Sequence, residues 1–221
     1  MSTPLNLADA ETAVDAQTFA SRAARVGDGA VRLRAADGIL VMTCAPIAPR
    51  GILDTAPTIL GVRVLSVDPE LACDLVVDGA SLRAQGVTLE LPDAGMRAAW
   101  AGISPPVSGW TLGGEISSTD LAAAAHRGME EVATSVPTNA GEDVVRQIRA
   151  AVWGAPDAGL GGLPRGVGFV AQVLGFLGPD AESVPMRETG AWVRLSLRRG
   201  HVLVRRSGMN PRGPRAGGIL G

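Results

Sequence analysis

The chain runs to 221 residues, 46% hydrophobic and 19% charged, enough for one large domain or two small ones and too apolar for a disordered chain. All 20 basic residues are arginine, which excludes a Schiff-base enzyme, a Walker A phosphate loop and the usual protein kinase, since each needs a lysine. The net charge of −2 hides an asymmetry: residues 1–185 hold 12 Arg against 21 acids, and residues 186–221 hold eight Arg against Glu188 alone.

Histidine and cysteine are scarce. A zinc site would need His126, His201, Cys44 and Cys73 together, and neither pair has ligand spacing. No metal and no cofactor are expected, and the thiols read as reduced and buried. The N-terminal MSTPLNLADAETAVDA is acidic without an apolar core, and the longest uncharged run, Ala98 to Gly114, contains two Pro and four Gly. The expectation is a cytoplasmic protein that makes no membrane contact.

Asp9 to Val26 has helical spacing, with Val14, Phe19, Ala23 and Val26 on its apolar stripe and Gly27 as its stop. Val31–Ala36 and Ile39–Ala45 flank Asp37-Gly38, a two-residue turn signal. That turn pairs Ala35 with Leu40, Leu33 with Met42 and Val31 with Cys44 on one apolar face. Further strands are expected at Ile59–Val67, Asp74–Asp78 and Val87–Leu91. From Leu91 to Gly114, Pro and Gly punctuate a stretch that carries Trp100 and Trp110. It reads as a linker packed against something, because two indoles are costly to leave in water.

Ser117–Asp120 offers a cap for a helix through Leu121, Ala125, Met129 and Val132. Asn139 and Glu142 have the spacing of a capping box for a second helix, with Val144, Val145, Ile148 and Val152 buried. The Gly-rich run Gly159–Gly166 has neither a preceding strand nor a lysine, so it reads as an inter-helix loop rather than a phosphate cradle. A third helix, Pro164 to Leu177, is almost wholly apolar. Ala191–Arg198 and His201–Arg206 then form a hairpin around Arg199-Gly200. No internal repeat is visible.

The expected fold is α+β in two parts. Residues 1–97 form a mostly antiparallel β domain with one helix, and residues 98–116 a linker. Residues 117–208 form a domain of three helices ending in a basic β-hairpin, and residues 209–221 a flexible tail. Three helices followed by a hairpin is a winged-helix-like order of elements, although the apolar third helix departs from the polar helix that groove reading needs.

In the last hairpin, strand alternation puts Trp192, Arg194, Ser196 and Arg198 on one face with His201 and Arg205, while Val193, Leu195, Leu197, Val202 and Val204 take the other. Guanidinium forks suit phosphate or carboxylate oxygens, and an indole beside them stacks. Trp192, Arg194, Arg198, His201 and Arg205 are therefore the candidate anion-binding residues. No catalytic residue stands out: His126 and Glu130 read as an exposed helical pair, and Cys44 as core.

The stretches FASRAARV, AVRLRAADG and CDLVVDGASL resemble uncharacterised proteins of high-GC actinobacteria, a resemblance that covers the N-terminal part of the chain and implies no activity. The functional expectation is a non-enzymatic interaction protein whose basic hairpin contacts nucleic acid or an acidic protein. The alternatives are a scaffold subunit whose basic end docks on an acidic surface in a homo-oligomer, and an enzyme with dispersed catalytic residues.

Overall fold

The computed structural model describes residues 4–51 and 54–206, so the tail expected at residues 209–221 lies outside the described residues. A short strand, β1 (Leu5–Asn6), leads to Asp9, which accepts the Thr12 N–H at 2.7 Å and caps α1 (Ala10–Ala23). The buried face of α1 is Ala13, Ala16, Phe19, Ala20 and Ala23, whereas Val14, expected inside, is 59% exposed. Small residues let the helix lie close on the strands beneath it, and Phe19 is its one bulky anchor.

β2 (Ala30–Ala36) and β3 (Ile39–Ile47) form a hairpin around Asp37-Gly38, both left-handed at φ 52° and 77°. Leu33 pairs with Met42 and Ala35 with Leu40, and Val31, Leu33, Met42 and Cys44 are all buried. β3 runs antiparallel to β4 (Thr58–Ser66), and β5 (Cys73–Asp78) adds on the far side of β2. β6 (Arg83–Gln85) and β7 (Thr88–Glu90) make a separate small sheet with β1, packed on α1.

β8 (Thr111–Ser117) takes up the end of residues 98–116, the expected linker, and runs one residue past it. Ser117 caps α2 (Ser118–Ser135) by accepting the Thr119 N–H. The cap position of α3 (Glu142–Gly154) is Gly141, so the box expected from Asn139 and Glu142 does not form. α4 (Gly166–Val173) is buried along nearly its whole length. An antiparallel meander closes the chain: β9 (Ser183–Thr189), β10 (Trp192–Leu197) and β11 (Gly200–Arg205).

β11 then pairs antiparallel with β4, His201 opposite Val62 through Arg205 opposite Thr58. This seam joins both halves into one eight-stranded sheet, in the order β5-β2-β3-β4-β11-β10-β9-β8. The six central strands mirror one another about the seam, because each half contributes a three-stranded meander, β2-β3-β4 and β9-β10-β11, whose last strand lies there; the outermost strands differ, β5 following its meander and β8 preceding its own. The repeat missing from the sequence thus exists in the topology.

The expected layout of two domains, the second winged-helix-like, is therefore overturned. A wing keeps a solvent-exposed edge and face. Here the outer edge of β11 belongs to β4, and both faces of the hairpin are covered. On the helical side Val193, Leu195, Val202 and Val204 pack with Ile59, Val170 and Phe176. On the other side Trp192, Leu60, Val62 and Leu203 pack with Trp100 and Trp110 of the crossing segment. Among the described residues, no helix is long and apolar enough to cross a membrane.

Candidate binding groove

At the end of α1, Gly27 turns at φ 63° beneath β3, where a Cβ would crowd the Ala45 carbonyl and lie 3.3 Å from Pro46 Cα. This close crossing builds one wall of a groove of about 540 Å³. The other walls are the end of β3 with its following loop, a 3₁₀ turn at Ala99–Gly102, and α3. Trp153 and Phe169 line its apolar side, their ring centroids 4.4 Å apart and their planes 24° from parallel, with Ile47 and Val145 beside them. Trp153 is 4% exposed, and its buried indole N–H has no hydrogen-bond partner among the described residues.

Four exposed arginines stand around the mouth: Arg25, Arg50, Arg146 and Arg149. Arg50 donates to the Gly27 carbonyl at 3.1 Å, and Arg146 pairs with Asp143. Arg25 and Arg149 have no side-chain partner among the described residues. Two of the three acids in the lining are committed to holding loops. Asp28 accepts Trp100 Nε1–H at 2.9 Å and the Ala30 N–H at 3.1 Å. Asp54 accepts the N–H groups of Arg50 and Ala56 at 3.0 and 2.9 Å. Burial works against the Asp54 carboxylate, but these two donors, with Arg146 and Arg50 nearby, hold its pKa below the usual range. The uncommitted charge at the mouth is thus mainly positive, above an aromatic and aliphatic wall. Such a groove suits a ligand that joins carboxylates to an apolar side chain.

The hairpin residues singled out in sequence lie on one side of the sheet but do not converge. Trp192 is 7% exposed in the apolar cluster with Leu203 and Trp100. Arg194 is half-buried, with Cζ 4.7 Å from the centroid of the Trp110 ring and Nε unpartnered. Burial, then the charge of Arg187, lowers its pKa. His201 is half-buried with Nδ1 unpartnered, and burial, then Arg194 and Arg63, pushes its pKa down, which keeps it neutral at pH 7. Arg198 sits in the turn, 77% exposed and 3.3 Å from Glu182. Arg205 is exposed at the far end of β11, opposite Trp192. Strand rise separates Arg198 from Arg205 by roughly 20 Å. The turn is Arg198-Arg199 rather than Arg199-Gly200, so Arg194 faces Leu203 and not Arg205.

Sequence reasoning missed the groove because its arginines come from the end of α1, the loop after β3 and α3. One local signal existed. Arg146, Arg149 and Trp153 recur at helical spacing on one side of α3, beside the valines that the sequence pattern assigns to its buried face.

Residues 1–102 match the model of a domain of unknown function, DUF8010, and residues 105–209 that of another, DUF8185. No curated protein matches the chain. Among solved structures, a Eubacterium rectale protein assigned as a DNA polymerase III beta subunit shares 8% identity at a TM-score of 0.49, covering 92% of this chain and 64% of that one. The DNA polymerase sliding clamp of Caulobacter crescentus shares 12% identity at a TM-score of 0.47, covering 92% and 65%. That of Pseudomonas aeruginosa shares 12% at 0.44, covering 98% and 69%. The chain thus spans 64–65% of the length of the first two. At these identities no residue role passes from them to this chain.

Proposed function

We propose that the chain is a non-catalytic interaction protein that holds an acidic segment of a protein partner in the groove between α1, β3 and α3. One observation carries this reading: the unpaired Arg25 and Arg149 line the same cleft as the Trp153–Phe169 pair, so charge and apolar contact are offered within it. An extended peptide with one apolar side chain between carboxylates uses both. The apolar side chain supplies buried area, and the carboxylates supply register.

Charge distribution favours a short acidic segment over a long polyanion. Helices α1 to α3 together carry four Arg against seven acids, so the helical side offers no continuous positive track for a nucleic-acid backbone. On the opposite side, Arg32 is held by Asp74 at 2.7 Å and Arg194 by Trp110.

Selection of random dodecapeptides by phage display on the whole chain tests the reading. The selected peptides are expected to carry Asp or Glu around one aromatic or aliphatic anchor. Their affinity, measured by fluorescence anisotropy, should fall about a hundredfold or more in the R25E/R149E variant, the loss of two charge-assisted contacts of roughly 1.5 kcal/mol or more each. Basic peptides, an unaffected double variant, or preferential binding of labelled duplex DNA would overturn the proposal.

A further inference from the structure

We propose that a second, smaller cavity binds a phosphate group. It measures about 250 Å³ and lies on the helical side of the sheet, where α1, β4, the turn after α4 and the β10–β11 turn meet. Three arginines, Arg22, Arg63 and Arg199, reach it from three separate elements and are met in its lining by one acid, Asp15. Phe19 and Phe176, ring centroids 6.2 Å apart and planes 7° from parallel, form its apolar wall. A low-dielectric wall strengthens the attraction between an anion and guanidinium groups beside it.

The arginines are positioned in different ways. Arg22 donates from Nη1 to the Leu174 carbonyl at 2.9 Å. The next residue, Gly175, has φ 69°, and a Cβ there would lie 2.9 Å from Arg22 Nη2 and closer still to the rest of the guanidinium. The glycine therefore gives Arg22 its path, and the rest of its fork has no other partner among the described residues. Arg63 grips Asp15 through Nε at 2.8 Å and through Nη2, and its Nη1 donates to the Arg199 carbonyl. Arg63 thus neutralises the acid and pins the hairpin turn. The pinned turn presents the exposed Arg199 side chain, which has no partner among the described residues.

The free guanidinium of Arg199 and the unpaired part of the Arg22 fork at one small cavity, with the nearby carboxylate already paired, suit a tetrahedral dianion. The ligand class is a phosphate, either free or as a monoester. The site also gives part of the C-terminal arginine excess a destination other than the outer face of the hairpin. It is independent of the peptide groove, since none of the residues lining one lines the other.

Isothermal titration calorimetry of the full chain, in low-salt chloride buffer, with inorganic phosphate and with adenosine monophosphate tests this. Binding of at least one probe is expected, weakened about tenfold or more in R22Q and in R199Q and unchanged in R205Q. R199Q is decisive because it keeps the backbone carbonyl that Arg63 uses and alters only an exposed turn side chain. Its far-UV circular dichroism melt should match that of wild type. Equal affinity for both probes assigns free phosphate, and tighter adenosine monophosphate binding assigns the monoester. No binding of either probe to wild type, or wild-type affinity in R199Q, would overturn the proposal.

Discussion

Gly128 lies inside α2, so replacing it with alanine sets two effects of opposite sign against each other. In an open helix interior, Gly→Ala stabilises by about 1 kcal/mol through backbone entropy. Here a Cβ would point into the Trp153 ring, 2.8 Å from Cη2, 2.9 Å from Cε3 and closer still to Cζ3. All three ring atoms lie inside the distance that real Cβ atoms keep, so the indole must move. Overpacking of this kind costs roughly 1–3 kcal/mol. The move also disturbs the stack on Phe169, worth about 0.5–1.5 kcal/mol. G128A should therefore lose about 1–3 kcal/mol net, despite its better helix propensity. Urea denaturation followed by circular dichroism measures this, and the thermal midpoint should drop by about 2–4 °C per kcal/mol. Adding W153L should recover part of the G128A loss, a coupling of about 1 kcal/mol. Stabilisation of G128A by about 1 kcal/mol would refute the reasoning, because it would mean that Trp153 does not sit on Gly128.

Leu33→Ala empties a fully buried position on the β2–β3 hairpin and should cost about 2–5 kcal/mol in the same assay; a loss well below that range contradicts the packing. Asp157 is 6% exposed, accepts two hydrogen bonds from Arg127 at 2.8 and 3.0 Å, and caps the loop through the Gly159 N–H. Burial works against its carboxylate, but Arg127, the Gly159 N–H and Arg165 outweigh it and hold its pKa below the usual range. Its stabilisation is complete above the unfolded-state pKa of about 4 and is lost as the pH falls through the lower folded value. D157N should therefore cost about 2–3 kcal/mol at neutral pH, less than a fully buried pair because Arg127 is half exposed, and should flatten the acid side of the stability–pH curve. An unchanged acid slope contradicts this. Burial raises the pKa of the Cys44 thiol strongly and that of the part-buried Cys73 thiol as well, so Ellman's reagent should titrate at most Cys73 in native protein and both thiols after denaturation. Two fast native thiols would show the β3 packing to be wrong.

What was legible in the sequence is what short-range chemistry dictates. Asp9 announces α1 through its cap, and Asp37-Gly38 sets both the turn and the register of β2 against β3. The misreadings come from residues that answer to distant partners. The local pattern makes Gly200 a turn residue, but it lies in β11 opposite Leu197, where a Cβ would be 2.6 Å from Phe176 Cζ. Packing and not turn geometry demands that glycine, and the loop slides by one residue to Arg198-Arg199. The β4–β11 seam pairs Thr58 with Arg205, a contact that no local pattern announces, so the hairpin read as a free wing. Period-2 alternation assigned its two faces, but nothing local to the hairpin says that Trp110 lies over Arg194. The groove has the same origin. Arg25, Arg50 and Arg149 are brought to one cleft by the turn at Gly27, the end of β3 and the seating of α3, all tertiary events.

Hydrogen–deuterium exchange of the whole chain, with and without a selected acidic peptide, tests the functional reading most directly. The expected protection lies at residues 25–28, 45–50 and 140–153, three of the backbone segments around the groove, with residues 192–205 of the β10–β11 hairpin unchanged. Protection concentrated in that hairpin, with the groove segments exchanging as they do in free protein, would contradict it.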